Sequence, residues 1–319
     1  MLLIPNVQII LFIDFIFFIL LFISLTISTN LVLKWNFASN SQVQYGLEKQ
    51  SYLVSTIVKY IFFMKLPLFL FFIYSLDSLS DLIVGAMCSA GVIDSSSYGI
   101  PLLILKLVNL YFFGFWLIIH YGDLKFKDLR LTRFKFSFLI VASISIIFEI
   151  ILEFLMFESI DLAKIAVCCG SLFSNASVSY LGILFEIDTW NYLYIFYLSF
   201  ILLFVSFLKR HDYMYSFLNI IFITSSILSL VMFFSPYIYE LPTHHCPFCI
   251  LQKEYFYIGY FLYISLFLGT FFGIALIISN MIGGKKRFYY NFSFFFICLY
   301  VAFVTYFPVS YYLRNGVLL

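Results

Sequence analysis

Long apolar runs separated by short polar segments recur along this chain of 319 residues. A helix needs about 20 apolar residues to cross the hydrocarbon core of a bilayer. Eight runs reach or approach that length, so the pattern predicts an all-α, polytopic helical bundle in one integral membrane domain. The predicted spans are residues 7–28, 52–76, 100–121, 136–157, 189–208, 215–236, 256–280 and 289–311.

The composition agrees with this pattern. The chain is 64% hydrophobic and 11% charged, which is too apolar for a soluble domain of this size. It contains no glycine-rich phosphate-binding loop and no basic patch of the kind that binds nucleic acid. We therefore expect the lipid bilayer to be its surroundings and do not expect nucleic acid to be a partner.

Lysine and arginine predict the orientation, because cytoplasmic loops carry an excess of both. In an eight-span arrangement most basic residues fall in loops on one side of the membrane. They are Lys34, Lys49, Lys125, Lys127, Arg130, Arg133, Lys135, Lys209, Arg210, Lys285, Lys286 and Arg287. The alternate loops are acidic and contain only Lys164 and Lys253, with Arg314 in the C-terminal tail. Both termini are then expected outside, and a bacterial inner membrane is the expected location.

Five of the six cysteines fall in the predicted outer loops. Cys88 lies in the first loop, Cys168 and Cys169 in the second, and Cys246 and Cys249 in the third. Disulfides persist on the outer side of the membrane. An odd number leaves at least one sulfur for a metal, a reactive thiol or a bond to another chain. One interpretation is therefore a non-catalytic, disulfide-stabilised subunit of a membrane complex.

The third outer loop reads THHCPFCILQKEYF over residues 243–256. Pro247 suits the first turn of a helix, so a helix is expected to begin here. Cys246 would then lie at the helix N-terminus, where backbone N–H groups favour a thiolate. Cys249 and Lys253 would follow at successive turns of the same face, and the Lys253 ammonium would favour a thiolate at Cys249.

The stretch Cys-Pro-Phe-Cys-Ile-Leu-Gln-Lys, residues 246–253, resembles the quinone-proximal motif of DsbB-type disulfide-generating membrane proteins. In that family a Cys-x-x-Cys at the start of a helix is followed by Gln or Glu and then Arg. The resemblance implies that Cys249 contacts a quinone together with Gln252 and Lys253. Lys253 stands where the family has arginine, which keeps the charge but not the planar guanidinium.

The same resemblance implies a role for the other outer cysteines. Cys246 is similar to the disulfide partner that exchanges with loop cysteines, a role left to Cys88, Cys168 and Cys169. The implied function is a membrane thiol–disulfide oxidoreductase that passes electrons to a membrane quinone. Its expected partner is an extracytoplasmic thioredoxin-like protein or another thiol protein.

A soft-metal site is the alternative for the third loop. Thiolate and imidazole ligands suit copper and zinc, and His244, His245, Cys246 and Cys249 could supply them. The protein would then bind or transport copper or zinc, or assemble a metal centre. Each histidine could also be an ordinary residue of the membrane interface.

Five charged residues fall in the outer half of the predicted spans and form an intramembrane charge layer. They are Asp14, Lys65, Lys106, Glu149 and Glu153. Such groups are costly in a bilayer and mark buried pairs or proton paths. Glu149 and Glu153 share a helix face, and Lys106 on the neighbouring span is their expected partner. Static ion pairing and proton relay both remain open.

Overall fold

The computed structural model describes residues 1–36, 41–86, 88–126, 131–161, 187–284 and 286–319. This described part contains no strand, and the fold is 83% helical, which confirms the all-α prediction. Eight helices among these residues are long and apolar enough to cross a membrane. They are α1 (Pro5–Lys34), α2 (Gln42–Ser80), α4 (Gly99–Asp123), α5 (Thr132–Ser159), α6 (Thr189–Lys209), α7 (Asp212–Tyr239), α8 (Ile258–Met281) and α9 (Lys286–Asn315). A short helix, α3 (Ser89–Asp94), lies between α2 and α4.

Each predicted span coincides with one of these eight helices, but most helices are longer than the apolar run that revealed them. The largest extension is in α2, which begins ten residues before the predicted span. Its Ser41 side chain accepts a hydrogen bond from the Gln44 backbone N–H at 3.3 Å, which caps the polar first turn. Hydropathy detects the apolar part of a helix and misses such polar extensions.

The chain divides into two compact units. The first unit comprises Met1–Val84 and Val92–Ile165. In it α1 packs on α2 and α5, and α4 also packs on α2 and α5, so four consecutive spans form a ring. The Arg133 guanidinium donates to the Trp35 carbonyl at one end of this ring. At the other end the hydroxyls of Ser96 and Ser159 lie 2.7 Å apart.

The second unit comprises Gly85–Gly91 and Ala166–Leu319. Here α6 packs on α7, α7 on α8, α8 on α9, and α9 on α6. Small residues let α8 approach its neighbours closely, as is usual between helices in membranes. The Ser216 hydroxyl donates to the Gly273 carbonyl at 2.8 Å, and the Ser293 hydroxyl donates to the Gly269 carbonyl at 2.6 Å.

One ion pair lies at each end of the second unit. At one end Lys286 pairs with Asp212 at 2.7 Å, close in sequence to the basic residues that follow α6. At the other end Arg314 pairs with Glu240 at 2.6 Å, close to the histidines and cysteines that precede α8. The cysteine motif therefore lies at the end opposite the basic loops, as the eight-span arrangement requires. Which compartment each end faces stays a prediction from the charge pattern.

Candidate functional site

Three of the predicted site cysteines meet within the second unit. Cys88, Cys246 and Cys249 place their sulfur atoms within 4.8 Å of one another. The Cys88 and Cys246 sulfurs are 3.5 Å apart, which is van der Waals contact without a covalent bond. All three side chains are buried, with relative exposures of 0%, 1% and 6% in chain order. We call this group the cysteine cluster.

A tight turn positions Cys88. Its carbonyl accepts a hydrogen bond from the Gly91 backbone N–H at 3.0 Å. A Cβ atom at Gly91 would lie 2.9 Å from the Ala86 Cβ, so the turn closes only because residue 91 has no side chain. Gly85 has φ 90°, a left-handed conformation that glycine adopts without strain. The sequence Gly-Ala-Met-Cys-Ser-Ala-Gly thus presents Cys88 to a motif 158 residues further along the chain.

The motif itself is not the start of a helix, and the prediction that Cys246, Cys249 and Lys253 share one helix face is wrong. Residues Cys249–Leu251 and Lys253–Tyr255 form two separate 3₁₀ turns. Gln252 between them is extended, with ψ 163°. Phe256 and Tyr257 are left-handed, with φ of 53° and 56°, and α8 begins only at Ile258.

Tertiary hydrogen bonds explain why a helix does not begin at Pro247. The Tyr239 hydroxyl, from the end of α7, donates to the Cys246 carbonyl. The Tyr263 hydroxyl, from α8, donates to the Pro247 carbonyl at 2.6 Å. These carbonyls are the ones that a helix starting here would use first. The motif instead folds over Gly259, where a Cβ would lie 2.8 Å from the Ile250 side chain and 2.9 Å from its carbonyl.

Sequence reasoning did not identify Tyr239, Tyr263 or Gly259 as part of the site. The chain contains 25 tyrosines, so no single tyrosine stands out in the sequence. Gly259 follows the motif directly, and a glycine at the start of an apolar span is the one feature that could have indicated a close approach of the backbone.

The two histidines lie beside the cluster in a half-buried layer. The His245 Nδ1 atom is 3.0 Å from the Val231 carbonyl, in the π-helical turn Leu230–Phe234 within α7. The ring centroid of His244 lies 4.4 Å from that of Tyr239, and its Nε2 is buried without a hydrogen-bond partner in the described structure. Burial lowers the pKa of both imidazoles. Nearby Cys88 partly offsets this lowering at His244, and the hydrogen bond with Val231 partly offsets it at His245. Both rings are therefore neutral near pH 7, the form that can ligate a metal.

The remaining predicted residues divide into those that the structure describes and those that it does not. Gln252 is half-buried and Lys253 is exposed in the second 3₁₀ turn. Cys168 and Cys169 lie outside the described residues.

The predicted intramembrane charge layer is a contiguous network in the first unit. Lys106 Nζ lies 3.1 Å from a Glu149 oxygen and 2.6 Å from a Glu153 oxygen, as expected from the sequence. Lys65 Nζ lies 2.9 Å from both Asp14 and Glu149. All five side chains are buried. The helices α1, α2, α4 and α5 each contribute to the network.

Comparisons of the chain with protein-family models, with curated proteins and with solved structures find no match. The geometry of the cysteine cluster is compatible with two kinds of chemistry. Adjacent sulfurs can exchange disulfides by attack of a thiolate on a neighbouring sulfur. Three thiolates at this spacing can also ligate a soft metal ion.

Proposed function

We propose that this protein is a membrane thiol–disulfide oxidoreductase whose cysteine cluster passes electrons to a membrane quinone. The observation that carries the proposal is the 3.5 Å contact between Cys88 and Cys246, with Cys249 in the same cluster. A loop cysteine next to a Cys-x-x-Cys pair is the arrangement that disulfide exchange requires.

The reaction has a balanced sequence of steps. The Cys246 and Cys249 thiols give two electrons and two protons to a quinone, which becomes a quinol, and a Cys246–Cys249 disulfide forms. The Cys88 thiolate then attacks the Cys246 sulfur, which forms a Cys88–Cys246 bond and releases the Cys249 thiolate. A dithiol protein attacks Cys88, releases Cys246 and closes its own disulfide by expelling Cys88. Two electrons have then passed from the dithiol to the quinone.

The surroundings of the cluster support this sequence of reactions. Burial excludes water and stray oxidants from the sulfurs, and a dithiol protein reaches Cys88 only when the turn that holds it opens. The segment after Cys249 carries Gln252, the exposed Lys253 and a Phe256 side chain that is 87% exposed. An exposed aromatic residue and a lysine before a membrane-spanning helix suit the bilayer interface, where a quinone head group would arrive. Lys253 could stabilise negative charge on a quinone oxygen from this position.

The proposal is tested by quinone reduction with the full-length protein in lipid nanodiscs, with dithiothreitol as electron donor and a short-chain quinone as acceptor. Quinone absorbance gives the rate. We expect Cys246→Ser and Cys249→Ser to reduce the rate at least tenfold, because each removes one half of the dithiol that reduces the quinone. The matched control is Cys298→Ser in α9, outside the cluster, which should retain the rate. Equal rates for wild type and Cys246→Ser would contradict the proposal.

A second candidate, soft-metal binding, is favoured by the buried, unpartnered Nε2 atom of His244 beside the cluster. For a Zn–S distance of about 2.3 Å, sulfurs of one tetrahedral site lie about 3.8 Å apart. The separations in the cluster, 3.5 Å between Cys88 and Cys246 and 4.8 Å at most, bracket that value. The cluster would hold Cu(I) or zinc through three thiolates, and His244, whose ring packs against Tyr239, could supply a fourth ligand.

Titration of the reduced protein with Cu(I) or Zn²⁺ distinguishes this candidate. One tightly bound ion, lost in Cys88→Ser and weakened in His244→Gln, with no quinone reduction by the metal-free protein, would favour the metal site. Active quinone reduction with no stoichiometric metal would exclude it.

A further inference from the structure

The charge network of the first unit contains unequal numbers of acids and bases. Three carboxyl groups, from Asp14, Glu149 and Glu153, face two ammonium groups, from Lys65 and Lys106. If all five were ionised, the network would carry a net charge of −1. Asp14 lies about 14 Å along α1 from its first residue. An uncompensated charge that is buried in this way is strongly disfavoured.

Hydrogen bonds account for most oxygens of the network. Both Glu149 oxygens are used, one by the two lysines and the other by the Asn109 amide at 2.6 Å. One oxygen of Asp14 faces Lys65 at 2.9 Å, and one oxygen of Glu153 faces Lys106 at 2.6 Å. Asp14 Oδ2 and Glu153 Oε1 remain, and both are buried with no hydrogen-bond donor among the described residues.

Asp14 on α1 and Glu153 on α5 carry the two remaining oxygens, and these two helices pack directly against each other. Two carboxylates cannot hydrogen-bond, because both are acceptors only. One proton between them turns the contact into an acid–carboxylate hydrogen bond. The same proton satisfies both remaining oxygens and brings the charge of the network to zero.

We propose that Asp14 and Glu153 form a binding site for one proton inside the membrane-spanning part of the first unit. The groups that face this site are Lys65 from α2, Lys106 and Asn109 from α4, and Glu149 from α5. Phe17 and Phe72 cover the ammonium groups, with ring centroids 5.6 Å from Lys65 Nζ and 4.5 Å from Lys106 Nζ.

Release of the proton has a structural consequence. It leaves two carboxylates side by side in an apolar environment, which disfavours the contact between α1 and α5. Proton occupancy is therefore coupled to the packing of these two helices. A cavity of about 10 Å³ beside the network is lined by Lys65, Lys106, Asn109 and Glu149. This is close to the volume that one water molecule needs, so the network has room for a single water beside Glu149.

Infrared spectroscopy tests the site without requiring a variant to fold. Full-length protein in lipid nanodiscs is measured at neutral pH, unlabelled and with ¹³C-labelled side-chain carboxyl groups. We expect a C=O stretching band of one protonated carboxyl group per protein that shifts with the label. The absence of such a band would overturn the proposal. A metal cation that neutralised the pair in place of the proton would give this same contradicting result.

Variants assign the band. Asp14→Asn and Glu153→Gln each leave two carboxylates with two ammonium groups, so the band should disappear in both. Asp123→Asn is the matched control, because Asp123 is buried in a balanced pair with Lys135 at 2.9 Å. It should leave the band unchanged. A band that persists in both network variants would belong to another group and would contradict the assignment.

Discussion

At the scale of the residue, the cysteine cluster depends on side chains that hold its sulfurs in a dry environment. The hydroxyls of Tyr239 and Tyr263 bind the carbonyls beside Cys246 and so fix where its side chain points. The His245 ring joins the same loop to the π-helical turn of α7. A π-helical turn in a membrane helix is frequently found at a functional site. The histidines therefore contribute to the stability of the loop as well as to any metal chemistry.

This arrangement predicts a pH dependence of stability. The pKa of His244 and His245 is lowered by burial, so the unfolded state binds protons more readily below about pH 6.5. The stabilising effect of the neutral rings is present above that pH and is lost as the pH falls through the folded-state values. Each ring changes the free energy of unfolding by at most about 1.4 kcal/mol per pH unit.

The measurement is thermal unfolding of wild type and of His244→Gln with His245→Gln at pH 7.5 and pH 5. We expect the melting temperature of wild type to fall more than that of the double variant, which has no imidazole to protonate in the loop. An equal fall in both proteins would show that other groups control the acid sensitivity.

At the scale of the element, close packing of the motif on the first turn of α8 decides the geometry of the site. Gly259 makes this possible, since Ile250 and Leu251 occupy the space that a side chain would take. A second glycine of α8 also permits a close approach, since a Cβ at Gly273 would lie 2.3 Å from the Asn219 side chain. Absent side chains on α8 thus allow both the loop and the neighbouring helices to approach it.

Substitution of Gly259 by Val should displace the motif from α8. Overpacking of this kind costs about 1–3 kcal/mol, and the displaced loop should expose Cys246 and Cys249. Two measurements test this. The melting temperature should be lower than that of wild type, and a small maleimide should modify the thiols faster than in wild type.

Gly46→Ala is the matched control for this experiment. Nothing lies within 4 Å of a Cβ at Gly46, in the middle of a turn of α2. Alanine there should stabilise the helix by about 0.5–1 kcal/mol and leave the cysteines as protected as before. If maleimide modified the cysteines of Gly259→Val no faster than those of wild type, close packing at Gly259 would not determine their protection.

At the scale of the whole molecule, the apolar runs sufficed to predict the eight long helices, because span length is set by the bilayer. The pairing of Lys106 with Glu149 and Glu153 also followed from helical spacing. The conformation of residues 246–257 did not, because Pro247 and an apolar run look like a helix start. Hydrogen bonds from Tyr239 and Tyr263 decide the local structure there, and nothing in the sequence distinguishes these two from the other tyrosines of the chain.

The meeting of Cys88 with Cys246 and Cys249 was likewise beyond the sequence, which offered several outer cysteines without a means of choosing among them. Long-range contacts of this kind depend on how the second unit packs, and 158 residues separate the two partners. The orientation in the membrane remains a prediction from the basic loops. The proposed electron transfer proceeds through disulfide bonds between Cys88, Cys246 and Cys249.

Disulfide mapping by mass spectrometry tests that claim most directly. The full-length protein is reduced, mixed with a short-chain quinone in lipid nanodiscs, and quenched with acid and an alkylating agent at a series of times. We expect a Cys246–Cys249 disulfide to appear first and a Cys88–Cys246 disulfide to follow from it, while Cys298 stays alkylated throughout. If Cys88, Cys246 and Cys249 all stay alkylated after the quinone has been added, the cluster is not a route for electrons and the account is contradicted.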